Sequence, residues 1–221
     1  MPGLGTCYPA PPAPSSTSRA ALGLPAGTLA VCAHSPFKWQ PQFTYAVGEI
    51  LKASTQTTLV VFDSPAASRS RVFDAYLRHH FAPLGIDVAK RVVRLPQRSR
   101  VDFLAVLAHS ALALDSFGFS GGNTSLDALS VGLPVLTLPG DFMRGRQTFA
   151  MLQAMPDNVP ISLIASDAAD YVARSAIAGR RQRPCRPARD NLRARFGAVQ
   201  RPGASDRAAR QLLSEAIAIR Q

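Results

Sequence analysis

The sequence predicts an α/β domain: a Rossmann-like parallel sheet with helices on both faces. Three observations carry this. Short apolar or β-branched runs alternate with helix-spaced segments from Leu29 to Ala176, the pattern of strands joined by crossover helices. The chain has 221 residues, 47% of them hydrophobic, enough for one substantial core. A glycine-rich turn, Ser120-Gly121-Gly122, stands between a short strand and a helix, where such sheets carry their ligands.

Met1 to about Pro25 is rich in Pro, Ser, Ala and Gly, and "CYPAPPAPSSTS" reads as an extended leader (1–25) without a core, disordered or the remnant of a preceding lobe. The Rossmann-like domain is assigned to 26–178. Its expected strands are Leu29–Cys32, Thr57–Phe62, Arg91–Leu95, Leu112–Leu114, Pro134–Gly140 and Ile161–Ile164. The expected helices are Pro41–Ala53, Ala67–Phe81, Arg100–Ala108, Asn123–Ser130, Gly145–Ala154 and Asp167–Ala176. A basic linker (179–204) follows. A last helix, Asp206–Arg220 within 205–221, is expected to pack back on the sheet through Leu212, Leu213, Ala216, Ile217 and Ile219.

The formal net charge is +11, from 25 Lys and Arg against 14 Asp and Glu. A basic balance invites a nucleic-acid reading. The excess is local, however: Arg180, Arg181, Arg183, Arg186, Arg189, Arg193, Arg195 and Arg201 cluster, with Asp190 the only acid among them. Only Phe196 lies there to stack on a base, so a solvated basic segment is the simpler reading and nucleic acid is not the expected partner. No apolar run reaches the roughly 18 residues of a membrane span. No basic start precedes an apolar stretch, so no secretory signal is read. Cys7, Cys32 and Cys185 are far apart and odd in number. They match no metal-ligand or disulfide pattern, and a cytoplasmic location is expected.

The segment "LDSFGFSGGNTSLDALSVGLPVLTLPG", Leu114–Gly140, is the most informative. Glycine lets the backbone approach a ligand, and free N–H groups at a helix start attract phosphate. Thr124 and Ser125 add hydroxyls. Asp127 would repel phosphate but can accept from ribose hydroxyls. The loop therefore reads as a diphosphate-and-ribose cradle. The alternative is a plain turn in which Asn123 or Thr124 caps the helix. It is neither the dinucleotide fingerprint nor a P-loop.

From Phe119 through "FSGGNTSLDALSVGLPVLTLPGDFMRGRQTFAML", the sequence resembles the C-terminal catalytic lobe of the O-linked N-acetylglucosamine transferases and their bacterial, TPR-associated, SPINDLY-like relatives. "LGLPAGTLAVCAHSPFKWQP" and "RVVRLPQRSRVDFLAVLAHSALALDS" extend the resemblance over about Ala21–Ala176. The resemblance implies the GT-B fold, two Rossmann-like lobes with a nucleotide sugar between them. It implies a hexosyltransferase using a UDP-sugar, UDP-N-acetylglucosamine foremost, to glycosylate a protein Ser/Thr or other acceptor such as a glycan.

By position in the family pattern, Lys38 would contact the diphosphate and stabilise the leaving group. Arg100 would lie near the base, and Phe103 falls where animal enzymes have a histidine near uracil. Gly121, Gly122, Asn123 and Thr124 match the phosphate-binding helix start, and Asp127 the ribose-binding acid. Arg146 matches a family arginine that supports the cleft; Arg144 reads as a surface residue. Two departures stand out: His34 where the family often has Gln, and Gly122 where animal enzymes have histidine. The family's proposed acid/base and acceptor groups belong to an N-terminal lobe and TPR array. No TPR repeat, of about 34 residues, is visible here. His79, His80 and His109 fall on helices, so the catalytic base is unassigned, and this chain alone is expected to be inactive, a truncated donor half. No Asp-x-Asp pair calls for a metal, and no cofactor is expected. A non-catalytic nucleotide-binding or regulatory module is the alternative.

Overall fold

The computed structural model describes residues 11–155 and 163–180. Five strands form one parallel sheet: β1 (Thr28–Cys32), β2 (Thr57–Phe62), β3 (Val92–Leu95), β4 (Leu112–Leu114) and β5 (Val135–Leu136). Their order is β3-β2-β1-β4-β5, with every pairing parallel. The chain steps outward from β1 to β3, then returns to lay β4 on the other side of β1. The switch point therefore falls between β1 and β4, where open sheets of this kind bind ligands at the strand C-termini.

Helices cover both faces, as the sequence predicts. One face carries α4 (Arg100–His109), α5 (Asn123–Ser130) and α6 (Gln147–Gln153). Its core includes Leu104, Leu107, Leu129 and Leu152. The other carries α1 (Pro41–Ala53), α2 (Ala67–Phe81), the short α3 (Val88–Arg91) and α7 (Ala168–Arg180), around Phe43, Leu51, Leu77, Phe81 and Tyr171. In β1, Leu29 and Val31 point to the first core and Ala30 and Cys32 to the second, so the strand is apolar on both faces after Thr28. No helix among the described residues is long and apolar enough to cross a membrane.

Several expectations are corrected. The leader lacks a core in the sequence reading, yet Leu22 and Leu24 are 1% and 5% exposed and belong to the α4 face. Burying each is worth about 1.5–3 kcal/mol. Upstream of them, Ser15 and Thr17 hydroxyls donate to Asp102 (2.7 and 3.2 Å), and Arg19 Nε donates to Pro25 O (2.7 Å). Two leucines in a Pro/Ser/Ala context carry no periodicity, so the packing was illegible.

Arg91, read as strand, ends α3 instead, and its guanidinium donates to the carbonyls of Leu51, Ser54 and Thr57. The strand expected over Pro134–Gly140 pairs with β4 only at Val135 and Leu136. Thr137 then turns to a bridge with Ile164, the described trace of the strand expected at Ile161–Ile164. The helix expected from Gly145 starts at Gln147 because Met143–Gly145 forms a 3-10 turn. The helix expected over Asp167–Ala176 begins at Ala168 and continues to Arg180. Residues 1–10, the rest of the basic segment and the C-terminal helix lie outside the described residues.

Candidate functional site

The loop after β4 is fixed by a buried carboxylate. Asp115, 1% exposed, accepts from Gly121 N at 2.7 Å through Oδ1 and from Thr137 Oγ1 at 2.6 Å through Oδ2. Tyr171 OH donates to Asp115 O (3.1 Å). Behind the loop, Ser120, Ser125 and Thr148 form a hydroxyl cluster: Ser120 Oγ donates to Thr148 Oγ1 (3.0 Å), Ser125 Oγ lies 2.8 Å from the same oxygen, and Thr148 N donates to Ser120 Oγ (2.9 Å). The glycines are sterically required. A Cβ on Gly121 would collide with Ser125 Oγ and lie 2.5 Å from His34 Nε2. A Cβ on Gly145 would lie 3.3 Å from the backbone of Gly118, itself at φ +72°.

The capping alternative for Asn123 and Thr124 does not hold. Gly122 is the N-cap of α5, and no side chain caps the helix. Asn123 is exposed and Thr124 half-buried, so the first turn presents its N–H groups and partial positive charge at the switch point.

Lys38 closes the site from the β1 side. It ends the 3-10 turn Pro36–Lys38. Its ammonium donates to Ser120 O (2.9 Å) and stands 4.1 Å from the centre of the Phe119 ring. Partial burial lowers its pKa, while the nearby Asp115 charge works against that shift. His34 is buried, with Nδ1 2.7 Å from Ser116 Oγ and Nε2 3.6 Å from Asp115 Oδ1. Burial depresses its pKa, Asp115 opposes this and Lys38 adds to it. Cys32 beneath is pushed up to about 12 by burial, so it is no thiolate nucleophile.

Arg100 and Asp127, read separately in the sequence, meet: Arg100 Nη2 donates to Asp127 Oδ1 at 2.7 Å. Asp127, read in the sequence as the ribose-binding acid, is buried, its side chain 2% exposed against 44% for Arg100. A carboxylate can be buried here because the guanidinium compensates its charge. Phe103 is half-buried, its ring 5.1 Å from that of Phe62. Arg146 is exposed; it donates to Gly140 O (3.0 Å) and lies 4.8 Å over the Phe149 ring, bracing the β5–α6 turn. Arg144 is exposed, as expected. His79 is exposed, His80 Nδ1 lies 3.0 Å from Tyr76 O and His109 Nε2 3.3 Å from Thr17 O, none of them beside the glycine loop. Among the described residues, no group of three or more His, Cys, Asp or Glu could hold a metal ion.

The sequence reading missed the neighbouring cleft, of about 870 Å³, at the C-terminal edge of β1, β2 and β3. It joins His34 and Phe103 to Trp39, Asp63, Tyr76 and Arg98. Asp63 is compensated there, accepting from Arg94 Nε at 3.0 Å, and Arg94 also pairs with Asp74 (3.0 Å). These residues come from separate loops and α2; the available signal was that they follow strand ends.

No family model and no curated protein matches this sequence. Solved structures do. The fold is that of a Rossmann-like lobe of GT-B glycosyltransferases. The chain is similar to the Thermobaculum terrenum O-GlcNAc transferase, with TM-score 0.74 and 22% identity over 97% of this chain and 38% of that one. It is similar to Anabaena HepE in complex with UDP, with TM-score 0.59 and 16% identity over 89% of this chain and 51% of that one. It is also similar to the pneumococcal O-GlcNAc transferase in complex with UDP and GlcNAc, with TM-score 0.51 and 15% identity over 92% of this chain and 37% of that one. The chain thus spans about two-fifths to half of these proteins.

Proposed function

We propose that this chain is the donor-binding lobe of a glycosyltransferase that takes a UDP-sugar, UDP-N-acetylglucosamine foremost, for transfer to a protein Ser/Thr or other acceptor. The observation that carries the reading is the uncapped start of α5 behind a rigid glycine loop, with Lys38 beside it. The diphosphate meets the N–H groups of the first turn, the Thr124 hydroxyl and the Lys38 ammonium, which exchanges Ser120 O for a phosphate oxygen. The nucleoside extends along the α4–α5 face, where Asp127 orients Arg100 and Phe103 offers a ring. HepE in complex with UDP and the pneumococcal enzyme in complex with UDP and GlcNAc support this choice of ligand.

In the transfer, an acceptor oxygen bonds to the anomeric carbon as the bond from that carbon to the diphosphate oxygen breaks. The electron pair leaves with UDP, whose new charge Lys38 and the helix start stabilise. The acceptor proton passes to a base that lies outside the groups described at this loop. A regulatory module that binds the nucleotide without turnover is the second reading, favoured by the distance of His79, His80 and His109 from the loop; assay of UDP-sugar turnover separates the two.

Calorimetry tests the donor reading. UDP is expected to bind more tightly than ADP or GDP. Lys38→Ala should weaken UDP by about 1.5–3 kcal/mol, the usual worth of a charge-assisted bond, and leave uridine nearly unchanged. Equal loss for UDP and uridine, or no heat with UDP, would sink the assignment.

A further inference from the structure

The leader does more than lend Leu22 and Leu24 to the core. It touches α4 at both ends. Ser15 N donates to Val101 O (3.0 Å) in the first turn, and His109 Nε2, on the last residue of the helix, lies 3.3 Å from Thr17 O. Just before the helix, Arg98 Nη2 donates to Leu22 O (3.1 Å).

The main hold is on Asp102. Its Oδ1 accepts from Ser15 Oγ (2.7 Å) and Thr17 Oγ1 (3.2 Å), and its Oδ2 accepts from Ser99 Oγ (2.9 Å). Ser99 in turn caps α4, its hydroxyl accepting from Asp102 N (3.3 Å). The Ser15 and Ser99 hydroxyls hold the Asp102 carboxyl below the usual carboxylate range, so it stays charged at neutral pH, and a charged acceptor makes the stronger bond. Val101 and Asp102 directly follow Arg100, whose guanidinium reaches Asp127 on α5, and Phe103 comes next. The first turn of α4 is therefore held by the leader on one side and by α5 on the other.

We propose that Ser15 and Thr17 are positioning residues for the nucleoside half of the donor. By fastening Asp102 they fix the first turn of α4, and with it Arg100 and Phe103, where the nucleoside is received. The inference rests on the donor-lobe reading. The diphosphate half is independent of them: it is met by Lys38 and by the glycine loop, which is fixed by its own bonds to Asp115 and between Ser120 and Thr148.

Calorimetry on the full chain, with UDP and inorganic pyrophosphate as probes, tests this. Ser15→Ala/Thr17→Val removes both hydroxyls and leaves the residues of α4 unchanged. UDP should weaken by about fivefold, while pyrophosphate should change by less than about twofold. Ser15→Thr/Thr17→Ser, which keeps both hydroxyls, should restore UDP binding. In the hydroxyl-free variant the amides of Asp102 and Phe103, both bonded to Ser99, should exchange with solvent faster. Urea midpoints set conditions in which every variant is folded. Equal losses for UDP and pyrophosphate would reduce the strap to a general contribution to stability and overturn the proposal. So would a loss that the swapped pair does not restore. Wild-type UDP affinity in the hydroxyl-free variant would sink the positioning role alone, whereas a wild-type protein that ignores UDP would sink the donor-lobe reading and the positioning role with it.

Discussion

On the β4 side of β1, the loop Asp115–Gly122 is held by bonds to a buried carboxylate, by three interlocked hydroxyls and by glycines with no room for a side chain. On the β2 side of the same strand, the cleft is lined by the rings of Trp39, Phe73 and Tyr76, and Asp63 at its edge is compensated by Arg94. The two shoulders share one sheet edge but differ in what determines them. The first is a fixed backbone shape that presents N–H groups, suited to an invariant anion. The second is a side-chain surface that can be altered without disturbing the chain path, suited to a variable partner.

The comparison breaks most visibly at Gly121. In Gly121→Val the new side chain meets His34, Ser125 and Thr124 together, and His34 and Ser125 cannot withdraw without losing buried hydrogen bonds to Ser116 and Thr148. Overpacking of this kind costs about 1–3 kcal/mol, and displacement of the loop should remove measurable UDP binding. Thermal unfolding and calorimetry read the two effects. A stable variant that binds UDP normally would show that the loop is not rigid.

How much of this was legible follows the same division. The glycine loop and the Asn123 helix start were readable because consecutive residues encode a turn between a strand and a helix, whereas Lys38 was singled out by its position in the family pattern. The α1, β2, α2 and β4 spans were readable from periodicity, and their bounds agree with the structure. Burial of Asp127 was not readable, since its compensating charge comes from Arg100, 27 positions away. Leu22 and Leu24 were hidden by a composition that signals a linker. The cleft was hidden because Trp39, Asp63, Tyr76 and Arg98 come together only when α2 folds over β2. The role of Asp115 was hidden too: in sequence it is one acid at a strand end, and only the fold brings Gly121 N and Thr137 Oγ1 to it.

A smaller effect sharpens the contrast through pH. Burial holds the folded pKa of His34 below its ordinary value, whereas the unfolded chain takes up the proton near pH ~6.5. Between those values the unfolded state binds more protons, so stability falls as pH drops below about 6.5 and levels off below the folded value. Asp115 and Lys38 both face this ring and partly offset one another. Urea midpoints of wild type and His34→Gln at about pH 7.5 and about pH 5.5 test it. The acid-side loss should shrink in the variant; an identical loss in both would place the titrating group elsewhere.

The smallest effect is expected on the other shoulder. Val72 lies on α2, lines the cleft and is 71% exposed, so Val72→Ser removes little buried area and leaves no polar group unpaired. Serine and valine have similar helix propensities, and exposed substitutions usually change stability by less than about 0.5 kcal/mol. The unfolding midpoint should therefore hardly move, and UDP affinity, if the proposed donor site on the far side of β1 is right, should stay as it is. Only a ligand that packs on the rings should notice the lost methyl groups. Gly121→Val adds a branched side chain on one shoulder and Val72→Ser takes one away on the other. If the midpoints of both fall alike, the two shoulders are one cooperative structure and the contrast fails. If only the first falls, the rigid loop and the adaptable wall are separable.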